Sequence, residues 1–169
     1  DVIWNHAVKI QEIQNKTEAD RADTAYMEKA GLLHAEFNAL QGDNATKAYP
    51  KYIQDLKTER ENIRGTLSND AVRRQYDSGT QSTMGRTIFN GAGHAATQAR
   101  AAQIDAVGKR MAVTASQAAT ADNEDDFHIL QRKTLELSRE DNSLRGRNSA
   151  PEDEFNINSS LYASRIQHI

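Results

Sequence analysis

The chain reads as an all-α protein of long, amphipathic, Ala-rich helices in an extended bundle or hairpin arrangement, and it is expected to be oligomeric. Three observations predict this. Apolar residues recur at intervals of three and four along most of the sequence, the spacing that lines one face of a helix. Ala, Gln, Glu, Lys and Arg, all good helix formers, dominate the composition. No segment alternates apolar and polar residues as a half-buried strand would.

The composition also limits the core. Ala contributes 24 residues, whereas Leu, Ile, Val and Phe together contribute 30, about 18% of the 169. Burying an Ala methyl yields little at roughly 25 cal/mol per Å², so neighbouring copies of the chain are the expected source of further stability. A net charge of −3 and only two prolines argue against the highly charged, Pro-rich composition of a disordered chain.

The first helix is predicted over about residues 2–41, with Ala19, Ala22, Tyr26, Ala30, Leu33, Phe37 and Leu40 as its seam and Trp4, Ala7, Val8 and Ile10 extending it to the start. Gln14 to Glu18 is wholly polar, hence either exposed all round or broken. Gly42 is placed as a C-terminal glycine cap, with Asp43 or Asn44 capping a second helix over 44–66. There Ala45, Tyr49, Tyr52, Leu56, Arg60, Ile63 and Leu67 form the seam. Pro50 is tolerable in the first turns, where backbone N–H groups have no intrahelical partner.

Ser68 or Asn69 then caps a short helix over 69–77, closing at Gly79. A long helix over 80–121 follows, carrying Met84, Ile88, Ala95, Ala99, Ala102, Ala106 and Val113 on one face, with a bend or close packing at Gly91 and Gly93. Asp122, Glu124, Asp125 and Asp126 precede Phe127 and suit the N-terminus of a helix over 124–145 with Phe127, Leu130, Leu137 and Leu144. Residues 1–147 are therefore read as one helical module. Residues 148–169 form a weakly structured or short-helix tail around Phe155, Leu161, Ala163 and Ile166. The start at Asp1 without Met and the stop inside a helical pattern suggest a processed chain or an excerpt of a longer one.

Chemistry is hard to place on this pattern. There is no cysteine, so disulfides and thiolate metal sites are excluded. No apolar run approaches the ~20 residues of a membrane span. His6, His34, His94, His128 and His168 never pair at i, i+4 as zinc-binding helices require. Asp122 to Asp126 lacks the glycine and alternating ligands of a calcium loop and reads as a solvated helix start. No GxSxG element presents a nucleophile. Gly91-Ala92-Gly93 lacks the GK[ST] of a phosphate loop, and Glu36 beside Phe37 is a lone carboxyl. The sequence accordingly offers no candidate catalytic, cofactor-binding or metal-ligating residue.

Basic residues group at Arg60, Arg64, Arg73 and Arg74, then at Arg86, Arg100, Lys109 and Arg110, then at Arg132, Lys133, Arg139, Arg145 and Arg147. The first and last groups are interleaved with acids. Only the middle one is net positive, which leaves non-specific DNA contact there beside the alternatives of a solvated face or a bridge to an acidic neighbour.

One stretch carries a resemblance. Phe37, Leu40, Gly42, Ala45, Ala48, Pro50, Tyr52, Leu56, Arg60, Leu67, Asn69 and Tyr76-Asp77, continued by Gly93-His94-Ala95-Ala96-Thr97-Gln98, resemble a recurring module of bacteriophage internal virion, or ejection, proteins of podovirus type. The similarity covers roughly residues 20 to 120. It implies a structural virion protein, packed above the portal and expelled into the host envelope or periplasm. There it would oligomerise into a ring or tube that assists genome delivery, with itself, the portal and other ejection proteins as partners. Any peptidoglycan-cleaving domain would lie outside these residues. Two rival classes are a helical adaptor or sensor-type bundle that binds bacterial proteins, and the non-catalytic helical part of a lytic transglycosylase.

Overall fold

The computed structural model describes residues 2–168; Asp1 and Ile169, the ends of the expected module and tail, lie outside the described residues. The chain is an all-α helical bundle protein. It has helices α1 (Val2–Asn38), α2 (Asp43–Gly65), α3 (Asp70–Ala119), α4 (Glu124–Leu144) and α5 (Pro151–His168), with no strand among the described residues. It divides into two compact units, residues 1–99 and 100–169. The predicted division after residue 147 is thereby replaced: α5 buries Leu161 beside Phe127 and Ala118 in the second unit's core. Of the two readings of the tail, weakly structured or a short helix, the helix applies, and it runs for 18 residues. Its sequence signal is weak because few of its residues are apolar, and its place is decided by packing on α4.

The first unit is built from α1, α2 and the N-terminal part of α3. Ala19, Ala22, Tyr26, Ala30 and Phe37 of α1 bury against Tyr52 and Leu56 of α2, Leu67 of the following turn, and Val72, Tyr76 and Ala95 of α3. The predicted seam of α1 is the buried one. Its Ala residues let backbones approach while the aromatic rings supply most of the buried area.

Several predicted boundaries are corrected. Gln14 to Glu18 is unbroken helix, and its polar residues have a use: the Glu18 carboxylate accepts hydrogen bonds from the Ser68 N–H (2.8 Å) and hydroxyl (2.6 Å). Asn69 Nδ2 donates to Asn15 Oδ1 at 3.0 Å. The α2–α3 turn is therefore tied to α1. Asn69 is the cap expected of it, its Oδ1 accepting the Val72 N–H at 3.0 Å.

The break predicted at Gly79 does not occur, and the helices read as 69–77 and 80–121 are one 50-residue α3. A mid-helix glycine costs about 1 kcal/mol relative to Ala. That is less than the neighbouring residues gain, since Tyr76, Asp77 and Thr80 are all anchored on α2.

The first helix ends at Asn38, short of the predicted 41, and Gly42 occupies the N-cap position of α2 and not the C-cap of α1. Its φ of 56° and ψ of −137° belong to backbone that glycine alone adopts freely. Asp43 lies in the first turn of α2, where a carboxylate suits the exposed N–H groups. The α3 helix stops at Ala119, with Thr120 and Ala121 closing on Gln117 and Ala118 through i−3 bonds. Asn123 caps α4 by accepting the Asp126 N–H at 2.8 Å, and the acids expected there fill its first turn.

Candidate functional site

The most elaborate arrangement of polar and aromatic side chains lies in the first unit, where the α1–α2 joint meets α3. From α1, Phe37 stacks on Tyr52 of α2 with ring centroids 4.3 Å apart and planes 12° from parallel. His94 of α3 meets the same Phe37 edge-on at 5.3 Å. Tyr49 leans on both Phe37 and Tyr52. One ring from α1, two from α2 and one from α3 thus share a single cluster.

The polar tips of these rings are satisfied in sequence. The Tyr52 hydroxyl donates to the Thr87 carbonyl oxygen at 2.9 Å, and Tyr49 donates to Ile88 O at 3.3 Å. Because the single hydroxyl hydrogen of Tyr52 is used there, His34 Nδ1, 2.8 Å away, is the donor to Tyr52 Oη. His34 Nε2 then accepts from Asn38 Nδ2 at 2.9 Å. The chain Asn38–His34–Tyr52–Thr87 runs from α1 through α2 to α3. Burial pushes the Tyr52 hydroxyl up to about 12, so it is a poor proton donor at neutral pH. The arrangement works as a strut between helices.

Two further bonds close the joint itself. His94 Nε2 donates to Leu40 O at 2.9 Å, and the Gly42 N–H donates to Gln98 Oε1 at 2.8 Å. The turn between α1 and α2 is therefore held by two side chains one helical turn apart on α3. Gly91 permits the approach: a Cβ there would stand well under 3.0 Å from Tyr52 Cε1. Close packing, one of the two expectations for the glycine pair, applies to Gly91. A Cβ on Gly93 would meet nothing within 4 Å.

A second polar clamp sits along the same unit. The Arg60 guanidinium, its side chain 14% exposed, donates from Nε to Thr80 Oγ1 (2.8 Å) and from Nη2 to the Asp77 carbonyl oxygen (3.0 Å) and carboxylate (3.3 Å). Arg64 Nε shares the Asp77 carboxylate at 3.0 Å. Tyr76 donates to Arg60 O at 2.9 Å, and Tyr26 of α1 to Leu56 O at 3.3 Å. Burial raises both of these tyrosines above the usual phenol range.

The sequence-level candidates fall as follows. His34 and His94 enter the joint, His34 on Tyr52 and His94 on Phe37 and the Leu40 carbonyl. His128 lies in α4 and pairs with Glu124 at 3.2 Å; His6 and His168 are exposed. Glu36 is exposed on the rim of an open groove of about 260 Å³ over Leu33, Leu40 and Ala48, outside the apolar setting that a carboxylic general acid needs. No group of three or more His, Asp or Glu is placed to hold a metal among the described residues. None of the described helices is long and apolar enough to cross a membrane.

Of the net-positive group, Lys109 pairs with Asp105 at 2.6 Å and Arg100 donates to Leu144 O at 2.6 Å. What sequence reasoning missed is that polar residues meet at two places, Arg60 with Asp77 and Thr80 at one, and His94 and Gln98 with the α1–α2 turn at the other. The spacing placed each on a helix, but convergence depends on which helices meet.

Fold and site together define the class: an all-α bundle protein whose best-organised polar side chains hold helices to one another. No protein-family model matches the chain, and no curated protein or solved structure matches it either.

Proposed function

We propose that this chain is a structural component of a phage particle, an internal virion or ejection protein of podovirus type that acts by assembly and not by catalysis. It forms a ring or tube above the portal or across the host envelope, with copies of itself and with portal or other ejection proteins as partners, and so assists genome delivery. The observation that carries this reading is an overlap of two sets of residues. Of the nineteen positions that resemble the virion module, twelve, Phe37, Leu40, Gly42, Tyr52, Leu56, Arg60, Leu67, Asn69, Tyr76, Asp77, His94 and Gln98, also build the joint, its clamps and the core between them, whereas Pro50, Gly93, Ala96 and Thr97 are exposed. A motif made of joint residues is what a structural module needs.

Non-specific DNA contact belongs to the same proposal and would fall on Arg86 and Arg110 of α3, since the charge of Lys109 is taken by Asp105. The test is direct. Mass spectrometry of purified particles should find the protein, its gene should lie among portal and tail genes, and electron cryomicroscopy should place it near the portal. A monodisperse monomer absent from particles would overturn the proposal.

A further inference from the structure

Within residues 100–169, the side of α4 that faces α3 sorts its charges about an apolar centre. Asp126, Ile129 and Lys133 follow one another at intervals of three and four, so they line one face of the helix. On α3, Arg110 and Val113 share an open groove of about 270 Å³ with Lys133. A short turn joins α3 to α4, and Val113 and Ile129 each lie one helical turn nearer to it than Arg110 and Lys133, so the two stand level. Both are exposed, at 57% and 55%. Reading away from the turn, the face thus presents a carboxylate at Asp126, two aliphatic side chains, and then cations at Lys133 and Arg110.

These charges are not taken up inside the chain. Arg110 forms no ion pair among the described residues. Lys133 reaches only the exposed Glu136 at 3.6 Å, and an exposed pair of that kind is worth little. The Asp126 carboxylate accepts one amide hydrogen from Asn123 at 2.7 Å and lies in the open.

The order of the charges identifies the occupant. At 1.5 Å per residue, Ile129 lies about 4.5 Å along the helix from Asp126 and about 6 Å from Lys133. A second copy turned end over end about an axis through Ile129 therefore sets each Asp126 level with Lys133 and Arg110 of the other copy. The four aliphatic side chains meet at the centre. Such a contact is isologous: one patch serves both copies, and each favourable pair is made twice. A purely acidic partner would set like charge against Asp126, and a purely basic one against Lys133 and Arg110, which costs affinity. A nucleic acid strand falls in the first class.

We infer that the α3–α4 face around Ile129 is a self-association surface that pairs with the same face of a second copy about a two-fold axis. This rests on the proposal of a structural protein that works by assembly, and it names one contact that does so. With two aliphatic side chains per copy at its centre, the contact belongs with weak interfaces that bury less than about 1,200 Å² in all. Charge supplies its register, so salt weakens it.

Sedimentation of the 169-residue chain at low salt, across micromolar to millimolar concentrations, should show self-association. It should fade in about 1 M salt, where the screening length is about 3 Å. Asp126→Lys and Lys133→Asp should each weaken association by about 10-fold or more, because each sets like charges opposite one another twice per pair of copies. An equimolar mixture of the two variants should regain most of it, since contacts between unlike copies again join opposite charges. Mixing cannot rescue a lost fold, so the mixture separates lost contact from lost structure. Variants that associate like the unaltered chain, a mixture no tighter than its components, or a chain monomeric at low salt would each overturn the inference. A thymidine oligonucleotide bound through Arg110 by a chain that stays monomeric would overturn it too, by giving the face to nucleic acid. Particle content is measured separately, so a protein found in particles that fails these tests would sink this inference and leave the virion reading standing.

Discussion

The two units solve the same problem, three helix segments around a small core, with different materials. In residues 1–99 the core holds Tyr26, Tyr52, Tyr76 and Phe37, and each tyrosine donates its hydroxyl to a carbonyl of a neighbouring helix. In residues 100–169 the buried side chains are Ala118, Phe127 and Leu161 in one cluster with Val107, Ala119 and Leu137 besides, and the Arg165 guanidinium lies 4.4 Å over the Phe127 ring and 3.0 Å from Glu124. The first unit therefore couples packing of four rings to directional bonds from its tyrosines, whereas the second has a single buried ring beside smaller aliphatic side chains. An Ala-rich chain buries little area per residue, so where it gains stability depends on its few large side chains.

The largest expected effect breaks the weaker side of this contrast. Phe127→Ala should cost about 3–5 kcal/mol, the range for a fully buried Phe. Native-state hydrogen exchange should then show α4 and α5 losing protection while α1 and α2 keep theirs. Equal loss in both units would mean that the two are not separately stabilised.

In the first unit, Arg60→Ala removes a nearly buried cation and leaves Asp77 with Arg64 alone. Lost hydrogen bonds to charged groups are worth about 1.5–3 kcal/mol each, and the exposed fraction of Asp77 keeps the total at about 2–3. Chemical denaturation measures it, and a change below 0.5 kcal/mol would demote the clamp to an ornament of the surface.

The glycine pair sharpens the comparison with opposite signs. Gly91→Ala should destabilise by about 1–2 kcal/mol, because overpacking against Tyr52 outweighs the gain in helix propensity. Gly93→Ala, in open space, should stabilise by up to about 1 kcal/mol. The difference in melting temperature between the two variants reads this directly, and equal behaviour would refute the close approach at Gly91.

Alkali should act through the first unit. Burial raises Tyr52 to about 12 and also raises Tyr26 and Tyr76 from the usual value of 10.0. The folded state then holds more protons than the unfolded one above pH 10. Stability is fully present below that pH and is lost as pH climbs from 10 through the folded values. Tyrosinate absorbance should rise together with unfolding, and non-cooperative ionisation near pH 10 would contradict the buried bonds.

The smallest effect is acidic and common to both units. The Ser68 bonds lower Glu18, and the Arg139 bond lowers Glu154. Their contribution is present above about pH 4.5 and fades as pH falls through the folded values. An NMR titration of the two carboxyls should show midpoints below those of free glutamate.

How much of this was legible in the sequence differs by level. The seam Ala19, Ala22, Tyr26, Ala30, Phe37 was readable because a straight helix repeats its face every 3.6 residues, whatever it packs against. The cap at Asn69 was readable because its side chain bonds three residues on. Gly42 and Gly79 were misread for one reason. A glycine signals freedom of the backbone, and the side chains that use or override this freedom, Gln98 for one and Arg60 and Thr80 for the other, come from distant parts of the chain. The C-terminal helix α5 was underread because one buried Leu161 is enough to dock it.

By itself, then, the sequence determined the all-α class, the buried face of α1, the absence of any thiol chemistry and the helix start at the acidic run before Phe127, since these follow from local periodicity and residue type. Only the tertiary structure decided that α3 is continuous, that the chain divides at residue 99, and that Asn38, His34, Tyr52, Thr87, His94 and Gln98 form one joint. Those are statements about which surfaces meet. Meeting is set by the packing of large side chains between helices, which no spacing along a single helix contains.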